Sequence, residues 1–245
     1  MLVLVIMLAL FGGLDQRVSS CGVAGVQVFG SLSELMHEGR TESRIALAEL
    51  DLSDGAVAVG ALAGLRGEVT LVEGRLYLSV PEGAGSRTLV GAATDEGAAL
   101  LVYAAVPAWQ QVPVPKDVAL PELAGFVEAS AIAAGLDVER PFPFVVEGEF
   151  AQVQFHTIDA RRAVDGEAAD HAALAIREER PRARGRLVGF YSKAHAGVFT
   201  HHGSRIHAHV VLETPLASGH LDGVEVLAGA VLKLPSPEMP GQGRR

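Results

Sequence analysis

Short apolar runs, many of them alternating with polar residues, dominate the hydrophobic pattern of this chain. Such period-two alternation is typical of β-strands that face a core on one side and solvent on the other. The clearest case is "GEVTLVEGRLYLSV" at 67–80, where two alternating runs flank Glu73 and Gly74 and predict a β-hairpin. Further strands are predicted at 25–30, 55–64, 98–106, 185–192, 206–213 and 224–234. Predicted strands therefore outnumber predicted helices.

Two segments have the features of helices. Ser31 followed by Glu34 forms a capping box, which predicts a short helix directly after it. Apolar residues at helical spacing predict a longer helix at 120–137. The charge-rich stretch 159–186 is interpreted as a solvated, partly helical connection. Its arginines are expected to form a solvent-exposed surface rather than a binding patch.

Strands return after the longer helix. The segment "RPFPFVVEGEFAQVQFHTID" at 140–159 is predicted to form two strands with a turn near Glu147 and Gly148. Because strands and helices are interleaved without regular alternation, we predict an α/β, β-rich fold with mixed sheets. The composition changes near the middle of the chain, which favours an N-terminal β-rich domain at 22–118 and a C-terminal domain at 119–245.

Residues 1–21 resemble an export leader. An apolar run of about a dozen residues is too short to span a membrane and is typical of a signal-peptide core. It is followed by "VSSC", which is similar to a bacterial lipoprotein cleavage box ending at Cys21. We therefore expect a periplasmic protein, or one that contacts the membrane only through lipid on Cys21. A cytoplasmic protein with a buried first strand and an incidental cysteine is the alternative.

Composition excludes several classes of protein. Hydrophobic residues make up 49% of the chain, as expected of a globular protein with a sizeable core. A formal net charge of −9 argues against a nucleic-acid-binding surface. One cysteine excludes an intramolecular disulfide and a multi-cysteine zinc site. The sequence contains neither a G-x-S-x-G elbow nor a phosphate-binding loop.

Histidines cluster in "RIHAHVVLETPLASGH" at 205–220. If 206–211 is a strand, His207 and His209 project from the same face. The residues after them read as a turn, which would return His220 beside the pair on a neighbouring strand. Three imidazoles with an open fourth position are typical of catalytic zinc, although other first-row divalent ions suit imidazole too.

A histidine-bearing strand without metal is the alternative, because H-x-H also occurs on half-exposed strands. His201 and His202 lie just upstream of the cluster. They are interpreted as part of a polar loop, and a contact with the metal environment or the substrate is the other interpretation.

These segments together resemble the α-acetolactate decarboxylase family over nearly the whole chain after the leader. "HAHVVLETPLASGHLDGV" is similar to the family's zinc motif and places His207, His209 and His220 on its three ligands. "GALAGLRGEVTLVEGRLY" resembles the segment with the active-site glutamate, which falls on Glu68. "FPFVVEGEFAQVQFHTI" resembles the segment with the active-site arginine, where this chain has His156.

The resemblance implies the two-domain fold of that family and a zinc-dependent carboxy-lyase converting 2-acetolactate into acetoin and CO2. Glu68 would deliver or relay the proton that completes the product; an exposed hairpin glutamate is the alternative. His156 would hold the substrate carboxylate when protonated, or relay a proton. Glu238, in "LPSPEMP", is a loose match to the family's glutamate near the metal.

Histidine at position 156 leaves two other functions open. One is an exported metal- or ligand-binding protein that keeps the scaffold and has lost activity. The other is a related metal-dependent lyase acting on a different 2-hydroxy-3-oxo acid. As an enzyme, the protein would have a small anionic substrate as its partner, and it would be either a monomer or a homodimer.

Overall fold

The structure, a computed structural model, describes residues 25–91, 95–162 and 171–237. Cys21 and Glu238 lie outside these ranges, so the predictions about them stay predictions. Two sheets of antiparallel strands dominate the described part of the chain, and helices are few. The predicted β-rich fold class is confirmed.

The first sheet is formed by the N-terminal strands. They are β1 (Gln27–Phe29), β2 (Ile45–Ala46), β3 (Ala56–Leu62), β4 (Glu68–Val72), β5 (Arg75–Glu82), β6 (Gly85–Gly91) and β7 (Gly97–Ala105). Their order is β1-β7-β3-β4-β5-β6, and β2 also pairs with β7. The predicted hairpin is confirmed, because Glu73 and Gly74 join β4 to β5. Their φ angles of 51° and 68° are the left-handed values that a two-residue hairpin turn requires.

The second sheet is formed by the remaining strands. They are β8 (Trp109–Pro113), β9 (Val118–Ala119), β10 (Phe142–Ile158), β11 (Ala175–Arg180), β12 (Ala183–Tyr191), β13 (Ile206–Glu213), β14 (Leu216–Val226) and β15 (Val231–Pro235). Their order is β8-β15-β10-β12-β13-β14-β9, with β11 beside β10. The first part of β10 pairs with β12 and its last part pairs with β14. Consequently β10, β12, β13 and β14 form a closed ring of pairings.

Helices occupy little of the described chain. The α-helices are α1 (Leu32–His37), α2 (Leu120–Ala133) and α3 (His171–Leu174), and short 3₁₀ helices span Leu47–Glu49, Ala63–Leu65 and Ala160–Arg162. The hydroxyl of Ser31 accepts a hydrogen bond from the Glu34 N–H, which confirms the predicted cap of α1. The helix predicted at 120–137 is confirmed as α2. Within the described residues, no helix combines the length and apolar character needed to cross a membrane.

The predicted turn near Glu147 and Gly148 is wrong, because β10 continues without interruption from Phe142 to Ile158. A Cβ on Gly148 would lie 2.5 Å from the Cβ of Ala230. This glycine therefore permits close packing in mid-strand rather than a turn. The uninterrupted strand has a functional consequence, because it carries His156 alongside β14.

Two further sequence interpretations are corrected by strand pairing. The stretch 159–186 contains the helical segments Ala160–Arg162 and His171–Leu174, as expected of a partly helical connection, but it also contains β11 and the start of β12. β11 pairs with the end of β10 and buries Ala175 and Ile176. The strand predicted at 224–234 divides between β14 and β15, with Gly229 at φ 91° in the connection. In both places, partners distant in sequence determine the structure.

The two sheets pack against each other through a shared apolar cluster. It combines residues from both sheets, including Val57, Val59, Val102, Val145, Val188 and Val211. A larger cluster lies between the second sheet and α2, where Leu123 and Val127 are buried. The chain passes from one sheet to the other between β7 and β8. The proposed division into domains at 118–119 stays a prediction.

Candidate metal centre and its cavity

Three histidines converge on the second sheet. His207 and His209 lie two residues apart on β13, and both are buried. His220, on β14, is the register partner of His209. One nitrogen from each ring can be chosen so that the three atoms lie within 4.8 Å of one another. Three nitrogens at such distances can share one metal ion.

The orientation of His209 is set by a residue of the other sheet. The Oγ1 atom of Thr70, on β4, lies 3.0 Å from His209 Nδ1. If Nδ1–H donates to this hydroxyl, the lone pair of the ring is on Nε2. Among the described residues, His209 Nε2 and His207 Nδ1 are buried nitrogens without a hydrogen-bond partner. Such unpaired buried atoms suit metal ligation, because otherwise their burial is unfavourable.

The electrostatic environment keeps the three imidazoles uncharged. Burial and, to a smaller extent, neighbouring imidazoles lower the pKa of His207 to about 3. The same causes lower the pKa values of His209 and His220 well below the ordinary 6.5. A metal binds the neutral form of imidazole. The three residues therefore fit a divalent first-row ion both in position and in protonation state.

Glu68 lies beside this group, at the start of β4. It is only 4% exposed, so the alternative of an exposed hairpin glutamate is wrong. Its Oε1 accepts a hydrogen bond of 3.1 Å from the Ile158 N–H, and its Oε2 lies 3.9 Å from His209 Nε2. Burial raises the pKa of Glu68 to about 7, although His156 and the Ile158 N–H oppose the shift. The residue can therefore carry a proton near neutral pH.

His156 stands next to His220 because β10 pairs with β14. The two residues are register partners, and their ring centroids are 4.8 Å apart. His156 Nδ1 lies 2.8 Å from Oδ1 of Asp222. Burial lowers the pKa of His156, but the bond with Asp222 and the attraction of Glu68 outweigh burial and leave it raised. The neighbouring carboxyl groups thus favour the protonated form of His156 more than in an isolated imidazole.

Asp222 was missed by the sequence reasoning. It follows His220 by two residues on the same strand. The alternation that paired His207 with His209 would also have placed Asp222 beside His220. The alternation was applied to the strand with His207 and His209 and not to the strand with His220, so Asp222 was not predicted.

A cavity of about 350 Å³ opens at the histidines. Polar side chains lining it belong to Glu68, His156, His207, His220 and Asp222. Apolar lining comes from α1, the 3₁₀ helix Ala63–Leu65 and β7. The apolar side chains are Leu32, Leu35, Met36, Leu65 and Leu100. A small molecule with one polar and one apolar part suits such a lining.

Two more polar residues line the cavity. Sequence reasoning gave Arg177 no role, and it gave His201 a contact with the metal environment or the substrate only as the alternative to a polar loop. Arg177 lies on β11 directly opposite His156. Because its segment was interpreted as a solvated connection, no strand pairing was predicted that would place Arg177 beside His156. His201 is exposed, as expected of a polar loop, yet its ring centroid is 5.8 Å from that of His220. His202 is exposed as well.

A sequence model of the family described as "Alpha-acetolactate decarboxylase" matches residues 28–235, which is most of the chain. The chain belongs to the α-acetolactate decarboxylase family. The matched range includes Glu68, His156 and the three candidate metal ligands. A search of curated proteins finds no significant match to this sequence.

Solved structures of the α-acetolactate decarboxylase family share this fold. A Staphylococcus aureus protein, titled as a protein of unknown function similar to α-acetolactate decarboxylase, superposes with a TM-score of 0.69 at 21% identity. That match covers 85% of this chain and 84% of the other. α-Acetolactate decarboxylase from Bacillus subtilis strain 168 gives a TM-score of 0.66 at 15% identity, over 87% of this chain and 86% of the other. At such identities the likeness shows the fold alone.

Proposed function

We propose that this protein is a zinc-dependent carboxy-lyase that converts 2-acetolactate into acetoin and CO2. One observation carries the proposal: Oε2 of the buried Glu68 lies 3.9 Å from Nε2 of His209, which is one of the three neutral histidines. The trio supplies metal ligands and Glu68 supplies a titratable proton at the same cavity. Membership of the α-acetolactate decarboxylase family supports this reaction class.

The residues have separable roles in the proposed reaction. His207, His209 and His220 would hold the zinc ion, which when bound supplies Lewis acidity toward the hydroxyl and keto oxygens of the substrate. Loss of CO2 breaks the bond to the carboxyl carbon and leaves the electron pair on the carbon that bears the hydroxyl. A proton must neutralise that pair to complete acetoin. Glu68, with a pKa of about 7, can hold this proton and regain it from water.

Acetoin formation by the zinc-loaded protein tests this proposal. Racemic 2-acetolactate is supplied and the acetoin produced is compared with the spontaneous rate. In Glu68→Gln we expect kcat to fall by roughly 10²–10⁴-fold with zinc content unchanged, because the proton donor is lost. In His209→Ala we expect stoichiometric zinc to be lost. A fully zinc-loaded wild type with only the spontaneous rate would refute the proposal.

A second candidate is a metal- or ligand-binding protein without activity. It is favoured by His156, which occupies the position where the resemblance implies arginine. His156→Arg separates the two: a large gain in activity indicates a decayed site, whereas a loss indicates that His156 belongs to a working one. A lyase for another 2-hydroxy-3-oxo acid is distinguished by supplying homologues of acetolactate with longer alkyl groups.

We also propose, from the sequence pattern, that residues 1–21 direct export and that Cys21 carries lipid. Labelled palmitate incorporated by the wild type and not by Cys21→Ser would support this. An unprocessed, unlabelled protein in the cytoplasm would contradict it.

Light scattering of the purified protein distinguishes a monomer from a homodimer.

A further inference from the structure

Two buried hydroxyl groups join the sheets beside Glu68. The Oγ atom of Ser79, on β5 of the first sheet, lies 2.5 Å from Oγ1 of Thr157, near the end of β10 in the second sheet. Both residues are buried. Because a hydroxyl group removed from water is unfavourable without a partner, each of these groups stabilises the position of the other.

Each of the two residues is also the neighbour of a group that contacts or faces Glu68. Ser79 is the register partner of Glu68 in the antiparallel pair of β4 and β5. Directly opposed residues of antiparallel strands project from the same face, with their Cβ atoms about 4.5–5.5 Å apart. Thr157 precedes Ile158, whose N–H donates to Oε1 of Glu68. The four residues therefore form a closed ring of contacts between the sheets.

The Ile158 N–H lies where β10 leaves its partner strand. The last registered pair of β10 with β14 is His156 with His220, two residues before Ile158. Beyond that pair, the Ile158 N–H donates to the carboxyl group of Glu68 on the first sheet. The hydroxyl bond at Thr157 therefore fastens β10 to the first sheet directly beside this N–H.

We propose that Ser79 and Thr157 are positioning residues that hold Glu68 in the orientation required at the metal centre. With Oε1 of Glu68 bonded to the Ile158 N–H, its other oxygen, Oε2, lies 3.9 Å from Nε2 of His209. Movement of the end of β10 away from the first sheet would release this orientation. A misplacement of about 1 Å in a reacting group can cost about 10²-fold in rate. The expected effect on rate rests on the proposed function.

Thr157→Val and Thr157→Ser separate the hydroxyl group from the shape of the side chain. Valine keeps the shape and removes the hydroxyl, whereas serine keeps the hydroxyl and removes a methyl group. In the zinc-loaded protein we expect Thr157→Val to lower kcat by roughly tenfold or more with little change in KM, because Glu68 handles a proton and does not bind the substrate. Thr157→Ser should keep most of the wild-type kcat.

Amide hydrogen exchange, followed by NMR of the zinc-loaded and isotopically labelled protein, measures the contact without reference to activity. In Thr157→Val the Ile158 amide should exchange about tenfold faster than in the wild type, or more, because its bond to Glu68 opens more often. Val146 lies in the part of β10 that pairs with β12. Unchanged exchange at Val146 would exclude a general loss of stability as the cause.

Thr88→Val is the matched control. Thr88, on β6, also forms a hydroxyl bond between the sheets, 3.2 Å to Ser218, and is not among the cavity-lining residues. The same change of side chain there should alter neither kcat nor exchange at Ile158. Ser79→Ala should reproduce the effect of Thr157→Val. The double variant should be no more impaired than either single variant, since both substitutions remove the same bond.

The outcomes separate this inference from the proposed function. If the wild type forms no acetoin, the proposed reaction fails and exchange at Ile158 alone decides the inference. Faster exchange confined to Ile158 in Thr157→Val, and restored in Thr157→Ser, supports it. Wild-type exchange in Thr157→Val, or equal losses in the valine and serine variants, would overturn it. In an active enzyme, faster exchange at Ile158 with an unchanged kcat would also overturn the positioning role.

Discussion

At the scale of single residues, the candidate centre depends on hydrogen bonds that select protonation states. His209 is buried, with the Thr70 hydroxyl 3.0 Å from its Nδ1 and Oε2 of Glu68 3.9 Å from its Nε2. If Nδ1–H donates to Thr70, this bond selects the tautomer that leaves Nε2 free to bind a metal. The ligand comes from the second sheet and the residue that orients it from the first.

Thr70→Val tests this orientation. We expect zinc affinity to fall by about 10–100-fold, as when other groups that orient metal ligands are removed. Competition with a chromophoric chelator measures the affinity. Thr88→Val serves as a control, because Thr88 also joins the sheets, through a bond of 3.2 Å to Ser218, and is not among the cavity-lining residues. Equal zinc affinity in wild type and Thr70→Val would refute the orienting role.

At the scale of elements, the pairing of β10 with β14 assembles the site. β10 brings His156 beside His220, and β11 brings Arg177 opposite His156. The approach of β14 to β10 is close at Gly219. A Cβ there would lie 2.5 Å from the carbonyl oxygen of His156 and 2.9 Å from the ring of Phe155. Only glycine allows the two strands to approach so closely at this position.

Gly219→Ala should therefore disturb both stability and the metal site. We expect the free energy of unfolding to fall by about 1–3 kcal/mol, as in other overpacked positions. Zinc affinity should fall as well, because β14 must move beside His220. Urea denaturation and chelator competition measure the two effects.

Gly125→Ala provides the contrasting control. Gly125 lies in α2, and a Cβ there would meet nothing within 4 Å. Alanine should therefore raise stability by about 0.5–1 kcal/mol, since glycine is unfavourable in a helix. A destabilisation by Gly125→Ala as large as that by Gly219→Ala would show that the close approach is not the cause.

At the scale of the whole molecule, folding buries several titratable groups whose effects on stability oppose one another. The pKa values of the three candidate ligands are lowered in the folded state. As the pH falls below 6.5, these histidines therefore become protonated in the unfolded chain before they do so in the folded protein. Glu68 acts in the opposite sense between its ordinary pKa of 4.5 and about 7, because the folded state binds its proton more tightly. Because three histidines titrate in one sense and one carboxyl group in the other, the histidines dominate the pH dependence of the free energy of unfolding.

The metal-free protein should therefore lose stability as the pH falls from 6.5 toward 5. Each buried histidine contributes about 1.4 kcal/mol per pH unit in this range, and Glu68 subtracts a similar amount. Urea denaturation at pH 7 and pH 5 measures the difference. His209→Asn removes one titrating group and should reduce the pH dependence. A stability that is constant or rises toward pH 5 would contradict the burial of neutral histidines.

Local patterns in the sequence were sufficient for the β-rich class, the hairpin at Glu73 and Gly74, and the cap at Ser31. They also placed His207 and His209 on one face, because side chains alternate along any strand. Each of these features depends on residues only a few positions apart. The resemblance to the family added Glu68, whose burial no local pattern could show.

Only the tertiary structure decided which distant residues share the cavity. The turn predicted near Gly148 was wrong because glycine there serves packing, and with that turn the pairing of β10 with β14 would have been lost. Arg177 and Thr70 reach the site through contacts with strands far away in sequence. Alternation along one strand reports which face a side chain occupies. Which strand lies opposite depends on burial and hydrogen bonding of the whole chain, and the chemistry proposed here depends on that pairing.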